Sequence, residues 1–433
     1  MNGGIMAQYI GTNGNDTLIG TSANDIIYAY DGNDSIVGGG GNDFMYGNGG
    51  DDTFSASASD ESSYIDLIYG NTGTDTLLLT GGGTFDLVRA AELNSIERIL
   101  VSADATTKIN LDNGDMSSGL IMAVDGSAIT TSNNGLDFEA YDTWHRVWIS
   151  TGAFSITGGA GNDTLCSSNS VADGDFVYGG TGNDFISSYS GNDVTDGGSG
   201  NDTIAAGAGN DVVTGGAGTD SLNGDSGNDT LIASAADISG LAETVDGGAD
   251  SDLLSLTGGG LFDLSSATLA NLETIGLGSD ASASVILADS AVASGAMLTI
   301  DASAVTTSTN TVTVNGSLES DGAFNISGGS GADSLTSGAG ADTLSGGDGA
   351  DVLTGGAGAD SLNGGGGNDI FIASAADISG LAETVDGGAD SDLLSLSGGG
   401  LFDLSSAVLK NLESISLGSD ASASVILADS AVA

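Results

Sequence analysis

A nine-residue repeat constrains the fold of this chain more than any other feature. Between Gly179 and Ile232, six consecutive nonapeptides keep one phase, and each places an Asp after a run of turn-forming residues and before a short apolar-centred segment. The pattern is G-G-x-G-x-D-x-U-x, where U is a large aliphatic or aromatic residue. A short fixed period of this kind predicts an all-β solenoid in which each repeat stacks on its neighbours.

The repeats form three arrays, and the segments between them also repeat. The segments 230–293 and 370–433 are two copies of one sequence, identical at 57 of 64 positions. The sequence therefore divides into array 1 at 11–55, a spacer with an aromatic insertion at 56–157, array 2 at 158–232, a second spacer at 233–327, array 3 at 328–372 and a truncated spacer copy at 373–433.

The spacers contain short β-type runs at close and nearly regular intervals, with Ser, Asp, Asn and Gly between them. Short strands at such spacing are also typical of a sandwich. Because these runs join directly onto the arrays, we expect them to be further rungs of one right-handed parallel β-helix, which leaves no sheet edge at the junctions. Small separate domains are the alternative. The clearest runs are LETIGL at 272–277, SVILA at 284–288, MLTID at 297–301, NTVTVNG at 310–316 and FNIS at 324–327.

The net charge of the chain limits the kinds of partner that it can bind. The 433 residues hold 59 Asp and Glu but only five Lys and Arg, for a formal net charge of −54. This sign argues against nucleic acid as a partner, and no segment approaches the roughly 20 apolar residues of a membrane helix. The one cysteine, Cys166, is expected to be a small apolar filler, so metal rather than disulfides would hold the fold together.

The nonapeptide has the composition of a calcium-binding turn. Glycines allow the positive φ of a tight turn, and Asn at the fifth position is expected to tolerate a left-handed conformation. Backbone carbonyls and the Asp carboxylate then supply hard oxygen ligands, which suit Ca²⁺ better than Zn²⁺. Adjacent rungs lie about 4.8 Å apart, so stacked carboxylates repel unless a cation neutralises them.

This pattern resembles the repeats-in-toxin (RTX) family of secreted calcium-binding proteins. The units GGAGNDTLC at 158–166, GGSGNDTIA at 197–205 and GGDGADVLT at 346–354 match it closely. The resemblance implies a parallel β-roll with two nonapeptides per coil and Ca²⁺ between turns one coil apart. It also implies type I export of an unfolded chain. The implied pairs are Asp16–Asp34, Asp25–Asp43, Asp34–Asp52, Asp184–Asp202, Asp193–Asp211, Asp202–Asp220, Asp211–Asp229, Asp333–Asp351, Asp342–Asp360 and Asp351–Asp369.

The candidate ligands for multiple Ca²⁺ ions are the Asp residues that keep the ladder phase. Units that depart from the pattern at Ala23, Asp173, Thr195, Glu243 and Glu383 are weaker candidates. The predicted metal ligands are Asp16, Asp25, Asp34, Asp43, Asp52, Asp75, Asp163, Asp184, Asp193, Asp202, Asp211, Asp220, Asp229, Asp252, Asp333, Asp342, Asp351, Asp360, Asp369 and Asp392.

Two further features suggest contacts with other molecules. The first spacer carries EAYDTWHRVW at 139–148, which holds both tryptophans and the one histidine. Tyr141, Trp144, His145, Arg146 and Trp148 form either a carbohydrate or subunit contact or a local apolar plug. The chain also ends at 433, partway through a spacer, so we expect the solenoid to continue or to stack on something longer.

No catalytic motif accompanies the repeats. The sequence lacks H-E-x-x-H and G-x-S-x-G, and one His and one Cys give little material for a triad. We therefore expect no enzyme activity. The leading hypothesis is a secreted calcium-stiffened structural protein of a bacterial surface layer, fibre or matrix, with self-association or cell-surface polysaccharide as partner. The alternative is the repeat region of a larger secreted adhesin or enzyme.

Overall fold

The computed structural model describes residues 6–58, 66–87, 93–111, 121–131, 134, 136–140, 153–167, 174–238, 240–378, 383–418 and 422–427. It contains two compact units, Met1–Gly227 and Asn228–Ala433. Both are built almost wholly from short parallel strands, stacked coil on coil as a β-roll solenoid. The predicted all-β solenoid is therefore confirmed.

The first unit contains three stacks of parallel strands. Sheet A consists of Ala7–Ile10, Asp25–Asp31, Phe44–Gly49, Leu67–Thr72 and Leu93–Asn94. Sheet B consists of Thr17–Ile19, Ser35–Val37, Thr53–Ser57, Thr76–Thr80, Arg98–Val101, Ile121–Asp125, Ala153–Gly159, Phe176–Thr181, Val194–Ser199 and Val212–Ala217. Sheet C consists of Gly83–Asp86, Thr107–Leu111, Leu136–Ala140, Thr164–Cys166, Phe185–Ser187, Thr203–Ala208 and Ser221–Ser226.

The second unit repeats this construction. Sheet D consists of Thr230–Ser234, Leu253–Thr257, Thr274–Leu277, Met297–Asp301, Ala323–Ser327, Thr343–Asp348, Ser361–Gly366, Thr384–Ala389 and Val408–Lys410. Sheet E consists of Gly260–Asp263, Ala283–Ile286, Val312–Asn315, Ser334–Thr336, Val352–Thr354, Ile370–Ser374, Leu393–Ser397 and Ser414–Leu417. Two small sheets, F and G, hold Thr244–Asp246 with Thr268–Ala270, and Gly400–Leu404 with Ala423–Leu427.

Helix is confined to single turns in the described part of the chain. Ala235–Ile238 and Ala375–Ile378 are α-helical, and Asp289–Ala291 is a 3₁₀ turn. No helix among the described residues is long and apolar enough to cross a membrane.

The spacers are coils of the solenoid. In sheet B, one inward column of paired residues runs from array 1 through the first spacer into array 2, and each member is at most 2% exposed. This column is Ile36, Phe54, Leu77, Ile99, Val124, Ile156, Val177, Thr195 and Val213. Each predicted β-type run of the second spacer also contains a strand. Strands alternate inward and outward side chains, so each short strand contributes one or two apolar residues to this narrow core, as Leu77 and Leu79 do.

Coil length distinguishes arrays from spacers. In the regular part of an array, residues that are paired between adjacent coils, such as Asp184 and Asp202, are 18 residues apart in sequence, whereas Asp163 and Asp184 at the start of array 2 are 21 apart. This offset rises to 23 where array 1 meets its spacer, from Asp52 to Asp75, and to 29 further along the same spacer. The strands on either side of these longer coils keep their paired register.

Each of the first two spacers contains a carboxylate clamp that the sequence pattern did not reveal. Asp104 accepts hydrogen bonds from the backbone N–H of Thr130 and Thr131, from both hydroxyls and from the Asn134 amide. Asp280 makes the same set of contacts 26, 27 and 30 residues ahead, with Thr306, Thr307 and Asn310. These hydrogen bonds lower the pKa of the Asp280 carboxyl to about 2. The clamps tie long spacer turns to the next coil.

Candidate metal centres

In the repeat turns, backbone carbonyl oxygens of one coil lie close to the glycines of an adjacent coil. In the unit that begins at Gly179, the glycines at the second and fourth positions, Gly180 and Gly182, have φ of +109° and +135°. A Cβ at either position would collide with the carbonyl oxygen of Gly159 or Gly161 in the preceding coil. Glycine is required here by both the backbone conformation and the close approach of the coils.

The first glycine of the repeat faces a pair of oxygens from two coils. A Cβ on Gly179 would meet the Asp184 Oδ2 atom of its own turn and the Gly197 carbonyl oxygen of the next coil. Gly197 stands in the same relation to Asp202 and Gly215. A carboxylate oxygen and a carbonyl oxygen thus converge at each such turn. Ca²⁺ prefers donors of this chemistry, so the residues fit the ion that the sequence predicts.

Within the arrays, the Asp residues form ladders. The Oδ1 atom of a ladder residue accepts a hydrogen bond from the backbone N–H of the Asp one coil earlier, as in Asp184 N–H to Asp202 Oδ1 at 2.8 Å. At the start of an array the donor is another residue, such as Leu136 for Asp163 and Val312 for Asp333. The coil contacts that were predicted as Asp pairs and that lie within one unit are all present at 2.7–3.0 Å. The Asp211–Asp229 pair joins residues of different units and stays a prediction.

The second carboxylate oxygen explains why the ladder needs a counter-charge. The Oδ2 atoms of several ladder residues are buried and have no hydrogen-bond partner in the described structure. An ionised oxygen without a donor is costly to bury. The ladder residues in this condition include Asp34, Asp52, Asp75, Asp163, Asp184, Asp202, Asp252, Asp351, Asp369 and Asp392.

Burial moves the acid–base equilibrium of these groups. Burial raises the pKa of Asp184, Asp202 and Asp351 to about 7, mainly because it removes water from the charged carboxylate. Repulsion from neighbouring carboxylates is a smaller contribution in the same direction. The hydrogen bond from the preceding Asp N–H acts in the opposite direction and is the smaller effect. Without a bound cation, the folded ladder therefore favours protonated carboxyl groups near neutral pH.

In three predicted ligands at the start of arrays 1 and 3, the second carboxylate oxygen is itself hydrogen-bonded. Asp25 Oδ2 accepts from the Thr21 N–H at 2.6 Å and from its hydroxyl at 2.9 Å. Asp16 is held in the same way by Thr12, and Asp333 by the Gly329 N–H at 2.7 Å. Asp16 is also only half-buried. These turns at the start of arrays 1 and 3 are less suited to a cation than the array interiors.

The fifth-position Asn has a different role from the predicted one. The left-handed backbone that Asn tolerates is not used at Asn183, Asn192, Asn201 or Asn210, since none of them has positive φ. Instead the Oδ1 atom of Asn183 accepts the Asn201 N–H at 2.9 Å, and that of Asn192 accepts the Asn210 N–H at 2.9 Å. A second ladder, of amides, therefore runs beside the Asp ladder.

Several acids that the prediction omitted belong to the same system. Asp66 and Asp175 occupy ladder positions and accept the Asp43 N–H at 2.8 Å and the Phe154 N–H at 2.7 Å. Their phase was visible in the sequence. Where a ladder meets a spacer, Glu carboxylates accept the same hydrogen bond, and of these only Glu383 was predicted from the sequence, as a weaker candidate. These are Glu97, Glu273, Glu383 and Glu413.

Among the residues with described positions, no three acidic, His or Cys side chains form a preformed metal cluster. Backbone carbonyls would have to complete each site. Cys166 is buried, as expected of a filler. The aromatic segment at 141–148 and Asp173 lie outside the described residues.

Thr195 occupies an inward position that its neighbours fill with Val177 and Val213. It is 1% exposed, and its Oγ1 atom has no hydrogen-bond partner within the described structure. We expect Thr195→Val to increase the free energy of unfolding by about 1 kcal/mol, because it removes a buried hydroxyl at nearly constant volume. Chemical denaturation at saturating Ca²⁺ measures this. Thr214→Val, on the outward side of the same sheet, is the control; a gain no larger than that of the control would contradict the expectation.

The comparison with protein families agrees with the geometry. The model of the RTX calcium-binding nonapeptide repeat, which spans four copies, matches residues 10–45, 30–60, 62–85, 155–169, 171–204, 196–231, 325–353 and 345–377. The matched segments cover the three arrays and the start of the first spacer. No curated protein matches the chain.

Proposed function

Because the three arrays of the chain match the RTX calcium-binding nonapeptide repeat, we propose that it is a secreted structural protein that folds on binding Ca²⁺ and assembles at the bacterial surface. The observation that carries this proposal is the ladder of buried carboxylates whose second oxygens lack donors. Two cations, Arg98 and Lys108, form ion pairs outside the ladder, with Asp125 and Asp137. Divalent cations from solution can supply the missing positive charge along the whole ladder.

Calcium binding would control whether the chain folds. In the unfolded chain the Asp residues are hydrated and separated, whereas folding stacks them one coil apart and buries them. Binding free energy then becomes folding free energy, as in small metal-dependent domains. Extracellular calcium modules have dissociation constants on the order of 10⁻⁴–10⁻³ M. A chain with this dependence stays unfolded in a low-calcium cytoplasm and folds outside, which agrees with type I export.

The structural role is supported by the way the chain repeats. Its internal duplication of an array together with a spacer lengthens the stack of coils. Duplication of this kind serves length and lateral contact more directly than catalysis. The acids are distributed along the ladder and form no isolated catalytic pair among the described residues, so we propose that the chain is not an enzyme. A surface layer, fibre or matrix is the assembly we favour, with copies of the chain or cell-surface polysaccharide as partner.

Electron microscopy of the purified protein tests the assembly. We expect ordered sheets or fibres at millimolar Ca²⁺ and dispersed molecules after calcium removal. Addition of cell-wall polysaccharide distinguishes self-association from assembly that requires a glycan. Monodisperse particles at every calcium level, with and without glycan, would contradict assembly and favour the alternative, the repeat region of a larger secreted adhesin or enzyme.

A further inference from the structure

The outward face of the second spacer carries an open groove that the nonapeptide turns do not explain. The groove crosses three neighbouring strands of sheet D, which are Leu253–Thr257, Thr274–Leu277 and Met297–Asp301. Its volume is about 320 Å³. Sites for small molecules have volumes of roughly 300–1,000 Å³, so the groove is large enough to hold a small ligand.

The groove is open because Gly276 has no side chain. This residue lies in the middle strand, where it pairs with Ser255 on one side and Asp301 on the other. Its φ is not positive, and a Cβ there would meet only the end of the Leu253 side chain, at 3.1 Å. Neither the backbone conformation nor the approach of another coil requires glycine here, unlike in the repeat turns. Glycine inside a strand weakens it and often marks a place where a ligand comes close.

The duplicated spacer shows that the fold accepts a side chain at this position. Ser416 is the equivalent residue, and it pairs with Ser395 in the register in which Gly276 pairs with Ser255. The two copies are identical at 57 of 64 positions, and two of the differences, at Thr274 and Gly276, line the groove. The glycine is therefore a local change that opens the groove without being needed for the strand.

The polar groups of the groove suit a neutral ligand with several hydroxyl groups. The hydroxyls of Ser255, Thr274 and Ser303 line it, and a hydroxyl both donates and accepts hydrogen bonds. Asp301 accepts the Ser303 N–H through Oδ1 at 2.9 Å, which leaves Oδ2 as an acceptor for a ligand. Leu253 adds an apolar surface for C–H groups. A sugar ring presents this combination of hydroxyl and C–H groups.

Charge excludes an acidic ligand. The described lining of the groove holds Asp301 and the ladder residue Asp252 but no Lys, Arg or His. The whole chain has a formal net charge of −54. An anionic sugar would be repelled both by the groove and by the field of the protein.

We propose that this groove binds a sugar residue of a neutral glycan chain, with Asp301 accepting hydrogen bonds from the sugar hydroxyls and Ser255 and Thr274 completing the polar contacts. Gly278 and Ser303 are exposed beside the groove, so the neighbouring sugars of the glycan have room outside it. The inference rests on the proposed function, because it gives cell-surface polysaccharide, one of the partners proposed there, a site on the second spacer.

Isothermal titration calorimetry on the full chain, folded at saturating Ca²⁺, tests the groove. The neutral probes are linear oligosaccharides of glucose, mannose and N-acetylglucosamine, and the anionic probe is an oligogalacturonate. We expect at least one neutral probe to bind and the anionic probe not to bind. Gly276→Ser, which introduces the residue of the other copy, should weaken that binding at least about tenfold. Asp301→Asn keeps an acceptor for the Ser303 N–H but loses the charge, and should weaken binding about tenfold.

Ser416→Gly, the reverse exchange in the other copy, is the matched control and should leave the affinity unchanged. Far-ultraviolet circular dichroism at saturating Ca²⁺ should show that all three variants are folded. A folded wild-type chain that binds none of the neutral probes, binding that either groove variant leaves unchanged, or equal weakening by the control would overturn the groove and leave calcium-driven folding and assembly standing. Monodisperse particles at every calcium level, together with intact oligosaccharide binding, would instead overturn the proposed assembly and leave the groove standing.

Discussion

Calcium-free protein is expected to gain β-structure when the pH is lowered from 8 to 5.5. Burial raises the pKa of Asp184, Asp202 and Asp351 to about 7 in the folded state, whereas an Asp in an unfolded chain titrates near about 3.9. The folded state therefore binds more protons than the unfolded state between these values. Its stability is greatest below about pH 4 and falls as the pH rises toward 7. Protons thus substitute for the missing calcium.

Far-ultraviolet circular dichroism on protein stripped of metal by dialysis measures this effect, with sedimentation velocity to exclude aggregation. The control is the same pH series at saturating Ca²⁺, where the sign should reverse, because metal ligands must be deprotonated and acid releases the ion. Calcium-free spectra that are the same at pH 8 and 5.5 would show that the buried carboxylates do not limit folding.

The close approach of glycines between coils predicts a second large effect. Gly356 has φ of +84°, and a Cβ there would collide with the carbonyl oxygen of Gly338 in the preceding coil. Gly258 has φ of +85°, but no atom lies within 4 Å of its Cβ position. Gly258→Ala is expected to cost about 1 kcal/mol from the left-handed backbone alone. Gly356→Ala must also separate two coils, and we expect it to cost about 3 kcal/mol more.

Denaturant unfolding of both variants at saturating Ca²⁺ compares the two costs directly. Because φ is nearly the same at the two glycines, the difference between the variants reports mainly on the collision. We also expect Gly356→Ala to need a higher calcium concentration to fold. Equal destabilisation by the two substitutions would mean that the Gly338 carbonyl does not pack against Gly356 at this turn.

The nine-residue period was enough to predict the fold and most of the ladder. Asp184 and Asp202 are 18 residues apart and do lie one coil apart, because two successive nonapeptides complete a coil. The spacer strands were also predictable, since runs such as MLTID at 297–301 alternate with polar turns.

What the sequence could not reveal depends on contacts between distant residues. The clamp of Asp280 on Thr306, Thr307 and Asn310 has no local pattern, because the partners are 26 to 30 residues away. The hydrogen bond from the Asn201 N–H to Asn183 was also not predictable, because it depends on coil stacking and not on the conformational preference of Asn. Glu383 was rated a weaker candidate because it departs from the repeat. Its burial is visible only in three dimensions.

A calcium titration followed by far-ultraviolet circular dichroism, with Mg²⁺ as the control, tests most directly whether cation binding to the Asp ladder drives folding. We expect a cooperative rise of the β signal with a midpoint on the order of 10⁻⁴–10⁻³ M Ca²⁺ at neutral pH. Mg²⁺ should be ineffective at the same concentration, because it demands near-ideal octahedral geometry and keeps its water ligands. A full β signal in metal-free protein at pH 8, or no rise at millimolar Ca²⁺, would contradict calcium-driven folding.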